Sequence, residues 1–466
     1  HSLVGSEMCI RDRFISDPNR WQPLALEVFQ DQAGRITDSG TPEFLGPEWG
    51  IVTPFALQSA DLRAYQRDGF PYLVYHDPGP PPLLGSARDD EYKSGFEQVA
   101  IWSGYLDPSD GVVIDISPAA RGNNSLGTND GSGHELNPVT EQAYDPQPVP
   151  AGDYYRVLAE FWADGPDSET PPGHWFTLAN YVSDHPDLTR QLGGSEEVLN
   201  QLEWDVKLYL AMGGAMHDVA IAAWGVKGWY DYIRPISALR HMCDNGQSSD
   251  SALPSYHPDG ITLQPGAIEL ITETSSAPGG RHEHLAQYKD VHIGKIALYA
   301  WRGPDYINDP ETDTAGAGWI RCEEWWPYQR PSFVTPPFAG YVSGHSTYSR
   351  AAAEVLTRFT GSEFFPGGVG TFLAPQNEFL VFEEGPSVDI LLQWATYYDA
   401  ADECSLSRIY GGIHPTADDI PGRLMGAVIG VQAFDLAKRY FDGEAIPGLL
   451  TNDPFDPDLH SHLRRR

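Results

Sequence analysis

Three short signatures in a fixed order constrain this chain most. They are Lys227 with Arg234-Pro235, then Ser343-Gly344-His345, then Ser407-Arg408 followed by His414 and Asp418. Cations, hydroxyl and backbone donors, and imidazoles are the groups that hold a tetrahedral oxyanion such as phosphate or its mimic vanadate. The signatures are far apart in sequence, so a fold that uses them must bring three remote segments to one point. Each alone has a plainer reading: a solvated Lys-Arg face, an N-cap serine before an incidental histidine, or a surface aspartate beside a satisfied histidine. Together and in order they favour a single pocket.

Charge sharpens that demand. The 466 residues include 65 acidic and 30 basic side chains, a formal net charge of −35. Such a field repels nucleic acid, and an anion site within it needs locally concentrated positive charge. Lys227, Arg234 and Arg408 supply it. Only six of the basic residues are lysines. A Lys-poor acidic surface fits a saline or extracellular setting, where screening relieves self-repulsion, so the expected location is secreted or periplasmic. An ordinary acidic solvated surface is the alternative. With 41% hydrophobic and 20% charged residues, the composition is that of a globular protein. No run approaches the ~18–20 apolar residues that a membrane span requires.

The four cysteines lack metal-ligand spacing. Cys243 follows the first signature and Cys322 precedes the second, so a disulfide between them would close the intervening loop. Two free thiols are the other reading.

Residues 1–13 read as a non-native segment that resembles translated sequencing-adapter read-through, and they are set aside from fold reasoning. Residues 14–150 are rich in Pro, Gly, Asp and Asn and read as a loop-rich region packing on the core, with one helix over Tyr92–Tyr105. A second Ser-Gly-His, Ser132 to His134, has nothing apolar or helical after it and is taken as a coincidence. Residues 151–445 read as a helical catalytic domain interrupted by an irregular insert over 244–330, and 446–466 as a tail.

Within the helical domain, helices are expected over Tyr155–Trp162 and His174–Val182. A longer one is capped by Ser195 and runs to Trp224, and another covers Trp229–Met242. Further helices are expected over His282–Trp301, Thr347–Phe359, Val388–Ile409 and Pro421–Tyr440. In the last, Gly422, Gly426 and Gly430 recur at i+4 and form a smooth face that another helix can approach closely. No strand-rich stretch is apparent, so the fold class is mainly α, a helical bundle. His282 and His284, an isolated H-x-H, read as surface polar residues.

Lys227 and Arg234 lie two turns apart, on one face if the helix is continuous. Ser343-Gly344-His345 precedes an apolar-periodic helix, which places a hydroxyl and backbone N–H groups at a helix N-terminus. His345 can then give or take a proton on a bound oxygen. Arg408 offers a forked guanidinium. Pro415 suits the start of a helix, which puts Asp418 about one turn beyond His414. There its carboxylate accepts from one imidazole nitrogen and leaves the other as nucleophile or metal ligand.

These three elements resemble those of the superfamily containing vanadium-dependent haloperoxidases and type-2 phosphatidic acid phosphatases, most clearly over about 150–440. The segments Glu160–Trp175 and Trp224–Arg240 resemble the bacterial haloperoxidase-like branch. The resemblance implies a helical bundle of the vanadium haloperoxidase type. It implies that Lys227, Arg234, Ser343, Gly344 and Arg408 bind vanadate oxygens, that His414 is the single protein ligand to vanadium, and that His345 is the acid–base group. Trp224 and Phe338 match positions lining the halide site of chloroperoxidase-type members. Departures from the pattern are Val342 in place of proline, Pro415 after the ligand histidine, and the long insert.

The activity so implied is oxidation of halide by hydrogen peroxide to hypohalous acid, which halogenates a small organic substrate, with phosphate able to occupy the vanadate site. A homo-oligomer belongs to the same expectation. A soluble phosphatase acting through a phosphohistidine at His414 is the alternative. A non-catalytic oxyanion-binding protein is a third, which His345 and Asp418 argue against.

Overall fold

Small residues bring three long helices into close contact at the centre of the molecule. The computed structural model describes residues 15–444 except 27, 32–34, 38–41 and 164–168. The segments 1–13 and 446–466 set apart above lie outside the described residues. The helices are α1 (Asp89–Ser103), α2 (Ala151–Phe161), α3 (Pro171–Asp184), α4 (Gln201–Tyr230), α5 (Pro235–Asn245), α6 (Lys289–His292), α7 (Gly344–Thr360), α8 (Tyr397–Tyr410) and α9 (Thr416–Phe441). The centre is α4, α7 and α9 packed on one another, with α8 and α3 against α7, and α2 against α8.

The glycine face of α9 meets α7. A Cβ on Gly426 would lie 2.3 Å from the Thr347 carbonyl oxygen, and one on Gly430 would lie 2.5 Å from that of Ala351. Only hydrogen fits at that helix separation. The contact matters for the site because α7 begins with the second signature.

Several expected boundaries move, each for a local reason. Helix α4 is capped by Asn200, whose side chain accepts from Glu203 N at 3.1 Å, while Ser195 closes a preceding 3-10 turn at Leu192–Gly194. The helix expected over Trp229–Met242 is broken. Asp231 ends α4 in the left-handed region (φ 50°), and α5 starts at Pro235 with Arg234 as its N-cap. Lys227 and Arg234 therefore do not share a helix face. The final helix starts at Thr416 and carries Pro421 within its length.

Two expected helices contain strands. Residues Ile296–Trp301 form the middle strand of a three-stranded antiparallel sheet, between Ile268–Leu270 and Ala317–Arg321. Its burial on both faces makes an apolar run that reads equally as helix or strand. Likewise Ile390–Trp394 pairs with Gly370–Ala374 before α8 begins, and the helix start is fixed by a Thr396–Asp399 capping box. Further two-stranded antiparallel ladders lie in the N-terminal region, among them Leu62–Arg67 with Phe70–Tyr75.

Cys243 at the end of α5 and Cys322 are joined in a disulfide with Cα atoms 5.8 Å apart. It ties the base of the insert. His282 is fully buried, bonded to Ser275 Oγ at 2.9 Å and packed edge-on against Trp319, which corrects its assignment to the surface. His284 is exposed and bonds the Trp319 carbonyl at 2.8 Å. The second Ser-Gly-His serves the fold, since His134 Nε2 lies 2.9 Å from Asp399 Oδ2 and ties the polar loop to the start of α8. Among the described residues, no helix is long and apolar enough to cross a membrane.

Candidate active site

The three signatures converge where α4 ends, α7 begins and α8 passes into α9. Lys227 lies in the last turn of α4, fully buried. Its Nζ donates to the carbonyls of Ala339 and Gly340, each at 2.8 Å. Arg234 crosses the same loop from the start of α5. Its Nε donates to the Phe338 carbonyl at 2.9 Å, and one terminal nitrogen donates to the Ile413 carbonyl at 2.9 Å and to His414 Nε2 at 3.0 Å. Segment 338–340 thus threads between two buried cations.

His414 is held at both nitrogens. Nδ1 lies 2.8 Å from Asp418 Oδ2, one turn on, as the spacing implied. With Nδ1 donating to the carboxylate and Nε2 accepting from Arg234, the ring is neutral and its Nε2 lone pair points toward the cations. Burial first, then the charge of Arg234 and Lys227, holds its pKa well below the ordinary histidine value. Burial pushes the Asp418 carboxyl up to about 7, against the pull of Lys227 and Arg234. Lys227 is also lowered well below its ordinary value, by burial first and then by Arg234. Three buried groups therefore share a site where uncompensated charge is costly.

Ser343 caps α7. Its hydroxyl oxygen accepts from Ser346 N at 3.3 Å, and its own N–H donates to the Asp418 carbonyl at 2.8 Å, which joins the second signature to the third. The backbone bonding of α7 starts at Thr347 N, which donates to the Ser343 carbonyl, so the Gly344 and His345 N–H groups stand outside it at the positive end of the helix. His345 is buried, and its Nε2 has no hydrogen-bond partner among the described residues. Burial first, then Arg408, sets its pKa well below the ordinary value. Arg408, on α8, donates to the Trp162 carbonyl at 2.8 Å.

A cavity of about 310 Å³ opens onto these groups. Its wall includes Gly344, His345, His414, Trp224, Phe338 and Tyr348. Trp224 and Phe338 pack with ring centroids 4.9 Å apart, and Lys227 Nζ lies 5.1 Å from the Phe338 centroid. The Trp224 indole N–H donates to the Leu45 carbonyl at 2.9 Å, so the ring offers the cavity its carbon surface. Behind the wall Arg234 and Asp418 bond His414, Ser343 bonds Asp418, and the charges of Lys227 and Arg408 act on both histidines.

The structure thus gathers Lys227, Arg234, Ser343, Gly344, His345, Arg408, His414 and Asp418 with both aromatics, while the Ser407 hydroxyl bonds the Cys404 carbonyl within α8. Sequence reasoning missed the rest of the wall. Tyr348 is one turn beyond Gly344 on α7, so helical spacing was a usable signal. Leu45, Gly46 and Trp49 come from an irregular stretch with no periodicity, and the Trp162 carbonyl is a backbone group that no motif marks.

A tetrahedral anion suits this donor set. The helix N-terminus and three guanidinium or ammonium groups act on negatively charged oxygen, and the His345 nitrogen without a partner among the described residues can accept a proton from one. The serine hydroxyl keeps a proton to donate after accepting from Ser346.

The sequence matches the family model described as VCPO second helical-bundle domain over residues 207–256 and 290–443, which leaves out part of the insert. Among solved structures, the chain superposes on an apo-type bacterial vanadium-dependent chloroperoxidase at a TM-score of 0.55 and 17% identity, covering 92% of this chain and 64% of that one. The holo-type structure gives 0.52 and 16%, covering 92% and 63%. The chain therefore spans a little under two thirds of the length of those structures. No curated protein matches the sequence.

Proposed function

We propose that this chain, whose fold is that of the vanadium haloperoxidases, binds vanadate in the cup formed by its three signatures and uses it to oxidise halide with hydrogen peroxide. The hypohalous acid formed halogenates an organic substrate. The observation that carries this reading is His414: buried, neutral, oriented by Asp418 at 2.8 Å and facing Arg234 at 3.0 Å through its other nitrogen. A single imidazole so held is a metal ligand with one lone pair to give.

In this reading His414 Nε2 would hold vanadium, and Arg234 would turn its terminal nitrogen from His414 to an oxygen. Lys227, Arg408, the Ser343 hydroxyl and the Gly344 N–H would hold the remaining oxygens. When bound, vanadate supplies a Lewis acid that polarises bound oxygen.

The chain's own residues do the rest. Lys227, Arg234 and Arg408 are all buried, where each is worth more to a negative charge than it would be in solvent. His345 Nε2, without a partner among the described residues and unprotonated in the free chain, would take a proton from hydrogen peroxide and pass it to a leaving oxygen. Asp418 keeps His414 in one tautomer. Trp224 and Phe338 supply an apolar wall with positive charge behind it, suited to a weakly hydrated halide. The Cys243–Cys322 disulfide supports the secreted or periplasmic location, since such bonds persist in oxidising compartments.

A neutral, oriented His414 also suits attack on phosphorus, so phosphatase activity through a phosphohistidine is the second reading. The deciding assay supplies bromide, hydrogen peroxide and orthovanadate, with and without a vanadate chelator. Vanadate-dependent bromination is expected; phosphate-ester hydrolysis without it reverses the order.

A further inference from the structure

The carboxylate of Glu403 on α8 has no part in the chemistry above, yet it collects three donors. Trp162 Nε1 reaches its Oε1 at 3.2 Å, Trp394 Nε1 reaches the same oxygen at 2.9 Å, and the Tyr154 hydroxyl reaches Oε2 at 3.0 Å. Of these three, Trp162 also touches the anion site. It ends α2 as its C-cap, where a helix leaves carbonyls without an internal partner. The Trp162 carbonyl accepts from Arg408 at 2.8 Å. The Trp162 backbone also acts on the His345 ring, raising its pKa against the pull of burial.

We propose that Glu403 is a positioning residue for the anion site, fixing through the Trp162 indole the backbone carbonyl that orients Arg408. Glu403 and Arg408 are five residues apart on one helix, so their separation along α8 is set by helix rise at about 7.5 Å. One holds the Trp162 side chain and the other its backbone. Two such points remove the rotation of residue 162 about the end of α2 that a single bond would allow. A glutamate that merely satisfied buried indoles would stabilise the fold without acting on the anion.

The inference rests on the reading that the cup binds an oxyanion, so the test measures inorganic phosphate binding by calorimetry at pH 7. Glu403→Leu keeps roughly the size and removes both acceptor oxygens, including the Oε1 that serves both indoles. Its affinity for phosphate is expected to fall about 10-fold, the lower end of what removal of an outer-shell partner costs at metal sites. Glu97→Gln is the control. Glu97 accepts from Thr262 N and Gln264 Nε2 in the insert and does not reach the cup, so this variant loses stability but stays within about twofold in affinity. Trp162→Phe removes the indole N–H and keeps the carbonyl. It is expected to follow Glu403→Leu and carries the test if that variant does not fold. Wild-type binding with unchanged affinity in Glu403→Leu, or in Trp162→Phe where it stands in, overturns the inference and leaves the proposed function intact. Absence of phosphate binding by the wild-type chain overturns both.

Discussion

Asp418 Oδ2 lies 2.8 Å from His414 Nδ1, and the Asp418 backbone carbonyl accepts from Ser343 N at the same distance. One residue thus orients the imidazole and, through its backbone, docks the start of α7. Asp418→Asn keeps the shape but presents a weaker acceptor, or a competing donor, to Nδ1. Affinity for vanadate or phosphate is expected to fall 10- to 100-fold, roughly the cost of losing an outer-shell partner, with the fold retained. His414→Ala should abolish vanadate binding. Calorimetry on the two variants checks both; full-strength vanadate binding by His414→Ala removes its role as ligand.

His345→Ala separates holding from turnover. The cations and the α7 N-terminus stay in place, so anion binding should persist within a few-fold. Turnover should drop by about 10²–10⁴, the usual contribution of a positioned acid–base group. Steady-state bromination alongside vanadate affinity reads both; undiminished turnover would show that the proton moves elsewhere.

Gly426→Ala tests the helix contact beneath the site. Its Cβ would lie 2.3 Å from the Thr347 carbonyl oxygen, a backbone atom that cannot turn aside. Overpacking of this kind costs about 1–3 kcal/mol. Urea denaturation should show that loss, and anion affinity should weaken as the first turn of α7 shifts. Wild-type stability would mean that the helices separate freely.

Replacing Cys243 and Cys322 by serine removes a cross-link between residues 79 apart in sequence. Closing a loop of that length typically contributes about 2–4 kcal/mol. Unfolding midpoints should drop accordingly, and limited proteolysis should cut first within 244–321. Cleavage beginning instead in α4, α7 or α9 would contradict the insert's dependence on the bond.

Glu160 gives a pH test away from the site. Burial pushes its carboxyl from 4.5 up to about 7, although Val381 N, Phe382 N and the Tyr328 hydroxyl donate to it. The folded chain binds this proton more tightly than the unfolded chain does. The stability it contributes is therefore complete below pH 4.5 and lost as pH rises through 7, by about 3 kcal/mol. The advantage of the wild-type chain over Glu160→Gln should shrink by that order between about pH 4.5 and pH 8 in urea titrations. A constant difference would rule out the raised value.

Much of this is legible in the residues themselves. The order and spacing of Lys227, Arg234, Ser343-Gly344-His345, Arg408, His414 and Asp418 mark the residues that meet in the cup. The i+4 glycines of α9 specify a close helix contact, and the structure places α7 there. These are short-range statements: identity and spacing fix which groups exist and, within one helix, which share a face. His414 and Asp418 sit a turn apart because both belong to the entry of α9, which local sequence controls.

Where long-range contact decides, local reading fails. Lys227 and Arg234 have the spacing of one helix face, but Asp231 breaks the chain there, and both cations instead clamp segment 338–340, over a hundred residues away. Ile296–Trp301 reads as helix because a strand buried on both faces loses its alternation. The neutral tautomer of His414, the lowered pKa of His345, the Trp224 hydrogen bond to Leu45 and the Trp162 carbonyl on Arg408 depend on burial and on partners from distant segments. Sequence determined which groups this protein brings to the cup. Tertiary structure alone decided how each is oriented and charged, because desolvation and hydrogen-bond geometry are properties of the packed interior and not of any one segment.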